Sequence, residues 1–253
     1  MIKPDDSLIV CASNEDKDYI NRLCKRALEE NGQIEKENIT IKSIKEKDIP
    51  LIGGNLSNQF RPGDKIFIER ASGLSAYQTA EVHSITGKHT IIIKINDFIT
   101  HEIDLNKDRI RGIEERTIDV SVGTRVVFTR NDYRLGVRNG TSGKVVSINQ
   151  NNESLEIETG ADDSIFINSE YGHIDLGYAV TAYKAQGMDA ERVIVYVNGR
   201  SRCMLNSELF YVSCTRASHE LRLYSDNKDI LINAVSKDQY KSTTLDLSSC
   251  MKN

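Results

Sequence analysis

Two short runs near the C-terminal end hold side chains suited to meet phosphate oxygens: Gly177-Tyr-Ala-Val-Thr-Ala-Tyr-Lys-Ala-Gln-Gly187 and Leu209-Phe-Tyr-Val-Ser-Cys-Thr-Arg-Ala217. In the first, Thr181, Tyr183, Lys184 and Gln186 gather a hydroxyl, a phenol, an ammonium and an amide where the pattern predicts the entry to a helix. Groups of that kind cap a helix or bind phosphate oxygens. In the second, Thr215 precedes Arg216, whose guanidinium is a planar, permanently charged fork that matches phosphate geometry. On residue types alone, a capped surface helix and a solvated arginine explain both runs.

A phosphate cradle is missing from the same sequence. A P-loop needs G-x-x-x-x-G-K-[ST], so that backbone N–H groups wrap the phosphates while the lysine reaches the outer oxygens. The Gly-Lys pairs are Gly87-Lys88 and Gly143-Lys144; Val82 and Arg138 stand where the first glycine belongs, and His89 and Val145 follow the lysines. Neither pair qualifies, and no acidic pair follows an apolar strand as an Mg²⁺ holder. The expectation is half of a nucleotide site, on a piece of a larger protein, with no ATP hydrolysis by this chain alone.

The elements around these runs are predicted as follows. Leu8-Ile-Val-Cys-Ala12 is an apolar run of the kind buried in a parallel sheet. Ser13 or Asn14 caps a helix from about Glu15 to Glu30, with Tyr19, Ile20, Leu23, Ala27 and Leu28 at helical spacing and Asn31-Gly32 as its stop. A comparable α/β unit resumes only after residue 170, with the β-branched run Val193-Ile-Val-Tyr-Val197, a turn at Asn198-Gly199, a segment opened by Ser207-Glu208, and a last strand at Leu221-Arg-Leu-Tyr224. The stretch between them reads as two β-rich modules with an internal echo. Gly63-Asp-Lys-Ile-Phe-Ile-Glu-Arg70 is repeated as Gly123-Thr-Arg-Val-Val-Phe-Thr-Arg130, and Val82-His-Ser-Ile85 as Val145-Val-Ser-Ile148. A period near 60 residues suits two small barrels in tandem. Asn139-Gly140 is a hairpin turn signal of type I′.

Composition restricts the function classes. The 253 residues carry 39% apolar and 28% charged side chains, enough to bury roughly three quarters of the unfolded surface. Lys plus Arg at 33 against Asp plus Glu at 37 gives a net charge of −4, so nucleic-acid contact has to be local. Five cysteines, odd in number and without C-x-x-C spacing, speak against a disulfide framework or zinc site and for a reducing, cytoplasmic setting. No apolar run reaches the roughly 18 residues of a membrane span, and the first residues lack a signal-peptide pattern. His83, His89, His101, His173 and His219 lack metal-ligand spacing, and Cys214 lacks a histidine and acid to activate it.

The two C-terminal runs resemble the last two motifs of superfamily 1 helicases. Phe128-Thr-Arg-Asn-Asp-Tyr-Arg-Leu-Gly-Val-Arg-Asn-Gly140 with Gly143-Lys-Val-Val146 resembles the SH3-like insertion barrel of the RecD and TraI group, and Asn21-Arg-Leu-Cys-Lys-Arg26 an asparagine-led helix of conjugative relaxase-helicases. The resemblance implies an α/β fold: a RecA-like motor domain, the second half of a helicase, with inserted SH3-like β-barrel modules. The expected division is 1–50 and 171–235 for the motor domain, 55–115 and 116–170 for the two β modules, and 236–253 for a loose end. It implies an ATP-dependent helicase acting on single-stranded DNA in plasmid conjugation, ATP and Mg²⁺ as cofactors of the parent with none bound here, and a first motor domain of the same parent, conjugative secretion machinery and single-stranded DNA as partners. Carried over by position, Arg216 is the arginine finger and Gln186 lies near the nucleotide, as do Gly187, Thr215 and Asp189. Asp189 approaches the ribose from one methylene shorter than the usual Glu, a gap that a water can bridge. Thr181 holds a DNA phosphate, Tyr183 and Lys184 extend that contact, and Arg130 with Asn131 offers another at a strand end. The β modules are expected to steer the strand. Competing readings are a non-catalytic single-strand-binding or secretion-signal module of a relaxase, and the motor of a RecD-like exonuclease subunit.

Overall fold

The computed structural model describes residues 7–47, 56–74, 78–96, 99–160, 163–198 and 207–236. The turn glycine Gly199, Cys203, Cys250 and the stretch 237–253 lie outside them. The N-terminal apolar run forms β1 (Ser7–Cys11), and α1 (Asn14–Glu30) follows where predicted. Ser13 is its N-cap: the backbone is extended, and Oγ accepts from the Asp16 N–H at 3.1 Å while donating to the Asp16 carboxylate at 2.7 Å. At the other end the Asn31 N–H donates to the Ala27 carbonyl, and Gly32 takes φ +67°.

The residues at helical spacing on α1 divide: Leu28 packs against a core, while others face water. Tyr19 and Leu23 are exposed, whereas Asp16, Lys17, Asp18, Asn21 and Lys25 are buried. Burying a polar group is unfavourable unless it is hydrogen-bonded; each of these five makes at least one such bond, although Asp18 Oδ1 has no hydrogen-bond partner among the described residues. Lys25, for example, meets Glu29 and donates to the Asn38 side chain at 2.7 Å.

Two antiparallel sheets follow. The first contains β2 (Ile39–Glu46), β3 (Lys65–Arg70), β4 (Gln78–Ile85), β5 (Thr90–Asn96), β6 (Ile99–Asp104) and β7 (Arg109–Val120), in the order β2-β7-β3-β4-β5-β6. The second contains β8 (Arg125–Phe128), β9 (Ser142–Asn149), β10 (Ser154–Glu158), β11 (Ser164–Asn168) and β12 (Ile174–Leu176), in the order β11-β10-β9-β8-β12. Both repeat one plan, a four-strand meander whose first strand is flanked by a fifth: β7 beside β3, and β12 beside β8.

The sequence echo extends to individual hydrogen bonds. The Gly63 N–H donates to the Val82 carbonyl and the Val82 N–H to the Asp64 carbonyl, each at 2.8 Å; Gly123, Val145 and Thr124 make the same pair at 2.7 and 2.9 Å. Asp64 and Thr124 each close a tight turn, with side-chain oxygens accepting from the Arg61 and Ser121 N–H groups at 2.7 and 2.9 Å. Such a turn requires positive φ at its third residue, supplied by Gly63 at +90° and Gly123 at +92°. The Asn139-Gly140 turn differs from the expected type I′. Gly140 alone of the pair has positive φ, and the Thr141 N–H closes the turn onto the Arg138 carbonyl at 3.0 Å.

β2 falls inside the expected 1–50 segment yet belongs to the first antiparallel sheet, paired with β7 from Ile39↔Val120 to Glu46↔Ile113. Its other side bonds the second module: the Lys42 and Ile44 N–H groups donate to the Ser169 and Gly172 carbonyls, both at 2.7 Å. Ile39, Ile41 and Val120 accordingly pack with Val126, Phe128, Leu155, Ile157 and Ile174 in one core, while Ile66, Ile68, Val82, Ile91, Ile93 and Ile103 form another.

After β12 the chain returns to β1. β13 (Ala179–Thr181), β14 (Ala190–Val197) and β15 (Ala217–Ser225) join it in a parallel sheet of order β13-β1-β14-β15. α2 (Ser207–Cys214) precedes β15, and α3 (Lys228–Val235) follows it. Leu8, Val10, Val193, Val195 and Val197 form the third core with Ala182 and Ala185. The helix expected after Thr181 is only a succession of turns over 182–187. The Ala185 N–H reaches the Thr181 carbonyl at 2.9 Å, but Gly187 at φ +84° ends the winding before a second full turn forms.

Candidate phosphate and nucleic-acid site

Parallel register brings the arginine and the acid together. Ala190 of β14 pairs with Ala217 of β15, and the Ala190 N–H donates to the Arg216 carbonyl at 3.0 Å. Asp189 and Arg216, each one residue before its strand, therefore lie side by side. The Arg216 guanidinium donates to Asp189 at 3.3 Å and to the Thr215 hydroxyl at 3.3 Å, while Nε caps the last turn of α2 on the Val212 carbonyl at 3.1 Å. The Asp189 side chain is 80% exposed. The Arg216 side chain is only 22% exposed, so it is held in place by the helix end as well as by the exposed carboxylate.

The structure thus gathers Arg216, Thr215 and Asp189. Gln186, also expected near the nucleotide, is exposed in the turns before Gly187, and no hydrogen bond joins its side chain to Arg216 among the described residues. Neither Gly-Lys pair lies at a strand-to-helix turn: Gly87-Lys88 occupies the link from β4 to β5, and Gly143-Lys144 lies within β9. Among the described residues, Arg216 and Thr215 are the groups that would meet one side of a phosphate chain, and neither Gly-Lys pair forms a cradle.

The expected DNA residues fall in two places. Thr181 ends β13 and is 8% exposed. Beyond it, Ala182 and Ala185 turn into the parallel-sheet core, so Tyr183, 68% exposed, and Lys184 turn outward. The packing around Lys184 and the Lys17 ammonium push its pKa down. Arg130 and Asn131 lie at the end of β8. Arg130 stacks 4.6 Å from the Phe67 ring centroid and approaches His173 Nε2 at 3.3 Å, and Phe67 meets the His173 ring edge-on at 5.7 Å. Since Phe67 is buried in β3, this stack joins the two modules. Asn131 Oδ1 accepts from the Asn139 N–H at 2.8 Å, closing its own loop.

Sequence reasoning missed a charged junction beneath Lys184. Lys17 and Asp18 on α1, Lys45 on β2, Arg116 on β7 and Asp175 on β12 form one network: Lys17 to Asp175 at 3.0 Å, Asp18 to Lys45 at 2.7 Å and to Arg116 at 2.8 Å, and Arg116 to Asp175 at 2.6 Å. Burial alone would raise the Asp18 pKa, but Lys45, Lys17 and Arg116 outweigh it and hold the carboxyl at about 2. Nearby, Asn21 Oδ1 accepts from the Tyr178 and Ala179 N–H groups at 2.9 and 2.7 Å, and its amide donates to the Ala179 carbonyl at 3.3 Å. These pairs link residues more than 150 positions apart, which no local pattern encodes; the asparagine-led helix was their one visible sign.

With that geometry in place, comparison with known proteins defines the class. Residues 176–224, which hold the arginine, the threonine and the acid, match the UvrD-like helicase C-terminal domain. The chain is similar to a probable conjugal transfer protein TraA of Sinorhizobium fredii, 36% identical over 131 residues, covering 49% of this chain and 12% of that one. It is similar over 96% of its length to the multifunctional conjugation protein TraI of Escherichia coli K12, at 26% identity and 14% of that protein. The RecBCD enzyme subunit RecD of Mycolicibacterium smegmatis is 27% identical over 49% of this chain and 22% of its own. The chain therefore spans between 12% and 22% of the length of these relatives. Residues 176–224 are thus similar to a UvrD-like helicase C-terminal domain, and the chain is similar to TraA, TraI and RecD proteins. Among the described residues, no helix is long and apolar enough to cross a membrane.

Proposed function

We propose that this chain acts as the second motor half of an ATP-dependent DNA helicase of the conjugative relaxase type. In this reading β13-β1-β14-β15 with α1 is the RecA-like layer, and the two antiparallel modules are SH3-like inserts. ATP, with its Mg²⁺, binds between this layer and a first motor domain that supplies the cradle, and its hydrolysis drives the cleft between open and closed states. From this side Arg216 exchanges Asp189 for the γ-phosphate and offsets its charge, Thr215 and Gly187 line the approach, and Gln186 and Asp189 border the nucleotide. Single-stranded DNA passes over Tyr183 and Lys184 beside Thr181, and secretion machinery is a further partner of the parent.

The observation that carries this reading is the register-set cluster of Arg216, Thr215 and Asp189 within the matched segment. A binding module has no need of an arginine oriented by a helix end toward an exchangeable carboxylate. The test is Arg216→Ala in the full parent protein. DNA-stimulated ATP turnover is expected to fall roughly 10³-fold or more, the scale of an arginine finger, with single-strand affinity nearly unchanged. Normal turnover would make Arg216 a surface charge and leave the non-catalytic reading standing.

A further inference from the structure

The loop that follows β8 is unusually well fixed for one that displays a bare aromatic ring. Asp132 and Val137 exchange backbone hydrogen bonds at 2.9 and 3.0 Å across a four-residue turn closed by Gly136 at φ +71°. The Asp132 carboxylate accepts from the Arg134 and Leu135 N–H groups at 3.0 and 3.4 Å, and from the Tyr171 hydroxyl at 3.4 Å. Leu135 and Val137 pack into the module core. Between these anchors Tyr133 stands 89% exposed, the most exposed large hydrophobic side chain among the described residues.

Its neighbours give the ring a charge environment. Arg134 and Arg138 are exposed on the same loop, and neither forms an ion pair among the described residues. The one acidic side chain of the loop is spent on backbone amides and Tyr171. An exposed ring on a hydrogen-bonded loop that also carries two exposed arginines, on a chain of net charge −4, is locally complementary to a polyanion that carries flat bases.

We propose that Tyr133 is a stacking platform for an unpaired base of single-stranded DNA, with Arg134 and Arg138 on the flanking phosphates. The second module then holds the strand directly, at a contact separate from the Thr181 surface. This rests on the reading of single-stranded DNA as the substrate.

The 253-residue chain has no tryptophan, so Tyr133→Trp installs a single reporter at the loop tip. Titration with an oligo(dT) of about 15 nucleotides, within the usual site size, is expected to quench that tryptophan, whereas an abasic oligomer of equal length leaves it bright. Tyr133→Ala should weaken oligo(dT) binding by roughly 5- to 150-fold, the range of one base stack. Arg134→Ala with Arg138→Ala should lower the slope of log K against log salt by about 1.4, since each single-strand phosphate contact contributes about 0.7. The side chain touches no core, so matching circular dichroism is expected for every variant. Oligo(dT) binding without quenching and unchanged in Tyr133→Ala would overturn the loop proposal and leave the DNA reading intact. Equal affinity for duplex would also overturn it, because paired bases cannot stack on the ring. Failure of the chain to bind oligo(dT) at low salt would overturn both.

Discussion

Asn21→Ala tests how one buried side chain of α1 positions the strand that leads to Thr181. Asn21 is 1% exposed, and its three hydrogen bonds account for two N–H groups and one carbonyl of the backbone at Tyr178 and Ala179. Truncation leaves all three without partners, and each buried group so stranded costs about 1–3 kcal/mol. Water admitted to the gap recovers part of this, so a local loss of about 3–6 kcal/mol is expected for β13. The strand has three residues, and among the described residues its only ladder is three register pairs with β1. The described residues form three separate cores, so a global melting point would average over them. Hydrogen exchange read by mass spectrometry is the better assay. Opening at Tyr178 and Ala179 should be roughly 100-fold more frequent or more, at about 1.4 kcal/mol per tenfold, with β9 and β10 unaffected. Asn21→Asp keeps the acceptor for both N–H groups and should lose less at neutral pH. If Tyr178 and Ala179 exchange in Asn21→Ala as they do in the natural chain, α1 does not hold β13 through this side chain.

Two further outcomes follow from the geometry. Because Asp18 titrates lower when folded, at about 2 against an ordinary 3.8, its contribution is complete above about pH 4 and disappears as pH falls toward 2. Denaturant titrations across that window should show a loss about 2 kcal/mol larger in the natural chain than in Asp18→Asn, whose remaining loss comes from other depressed carboxyls such as Asp64 and Glu115; equal profiles would contradict the charged junction. The twin turn glycines should respond unequally to alanine. At Gly63 a Cβ meets nothing within 4 Å, so only the positive φ is penalised, by about 1 kcal/mol, whereas at Gly123 it would also lie 2.9 Å from the Ile34 side chain. Urea midpoints should therefore fall further for Gly123→Ala; equal shifts would show that Ile34 yields freely.

The parts of the fold legible in the sequence are those encoded locally. Ser13, Asn31 and Gly32 set the ends of α1 through their own hydrogen bonds, and the glycine echo set the paired turns of the two modules. The face of α1 was not legible, because Tyr19 and Leu23 keep helical spacing while Asn21, Lys17 and Asp18 are drawn inward by partners on β13, β12, β7 and β2. β2 was hidden for a related reason: its alternating pattern does not reveal that its partner is β7, more than 60 residues away. At the site, the pairing of Arg216 with Asp189 depends on the register of β14 with β15, while resemblance alone supplied the two residues. The side-chain placement of Gln186 is not fixed by any such register.

β7 behaves as a structural beam. Its 12 residues extend about 40 Å, with Ile110 against the core of the first module and Val120 in that of the second, and only the 121–124 turn separates it from β8. Its bonds to β2 lie across the strand axis, so a pull along the strand loads them in shear, all at once, instead of peeling them in turn. With β2 also bonded to 169–172, traction on the far module has no slack hinge to dissipate it. The two modules should tilt as one lever, pivoting where the charges of Lys17, Asp18, Lys45, Arg116 and Asp175 meet.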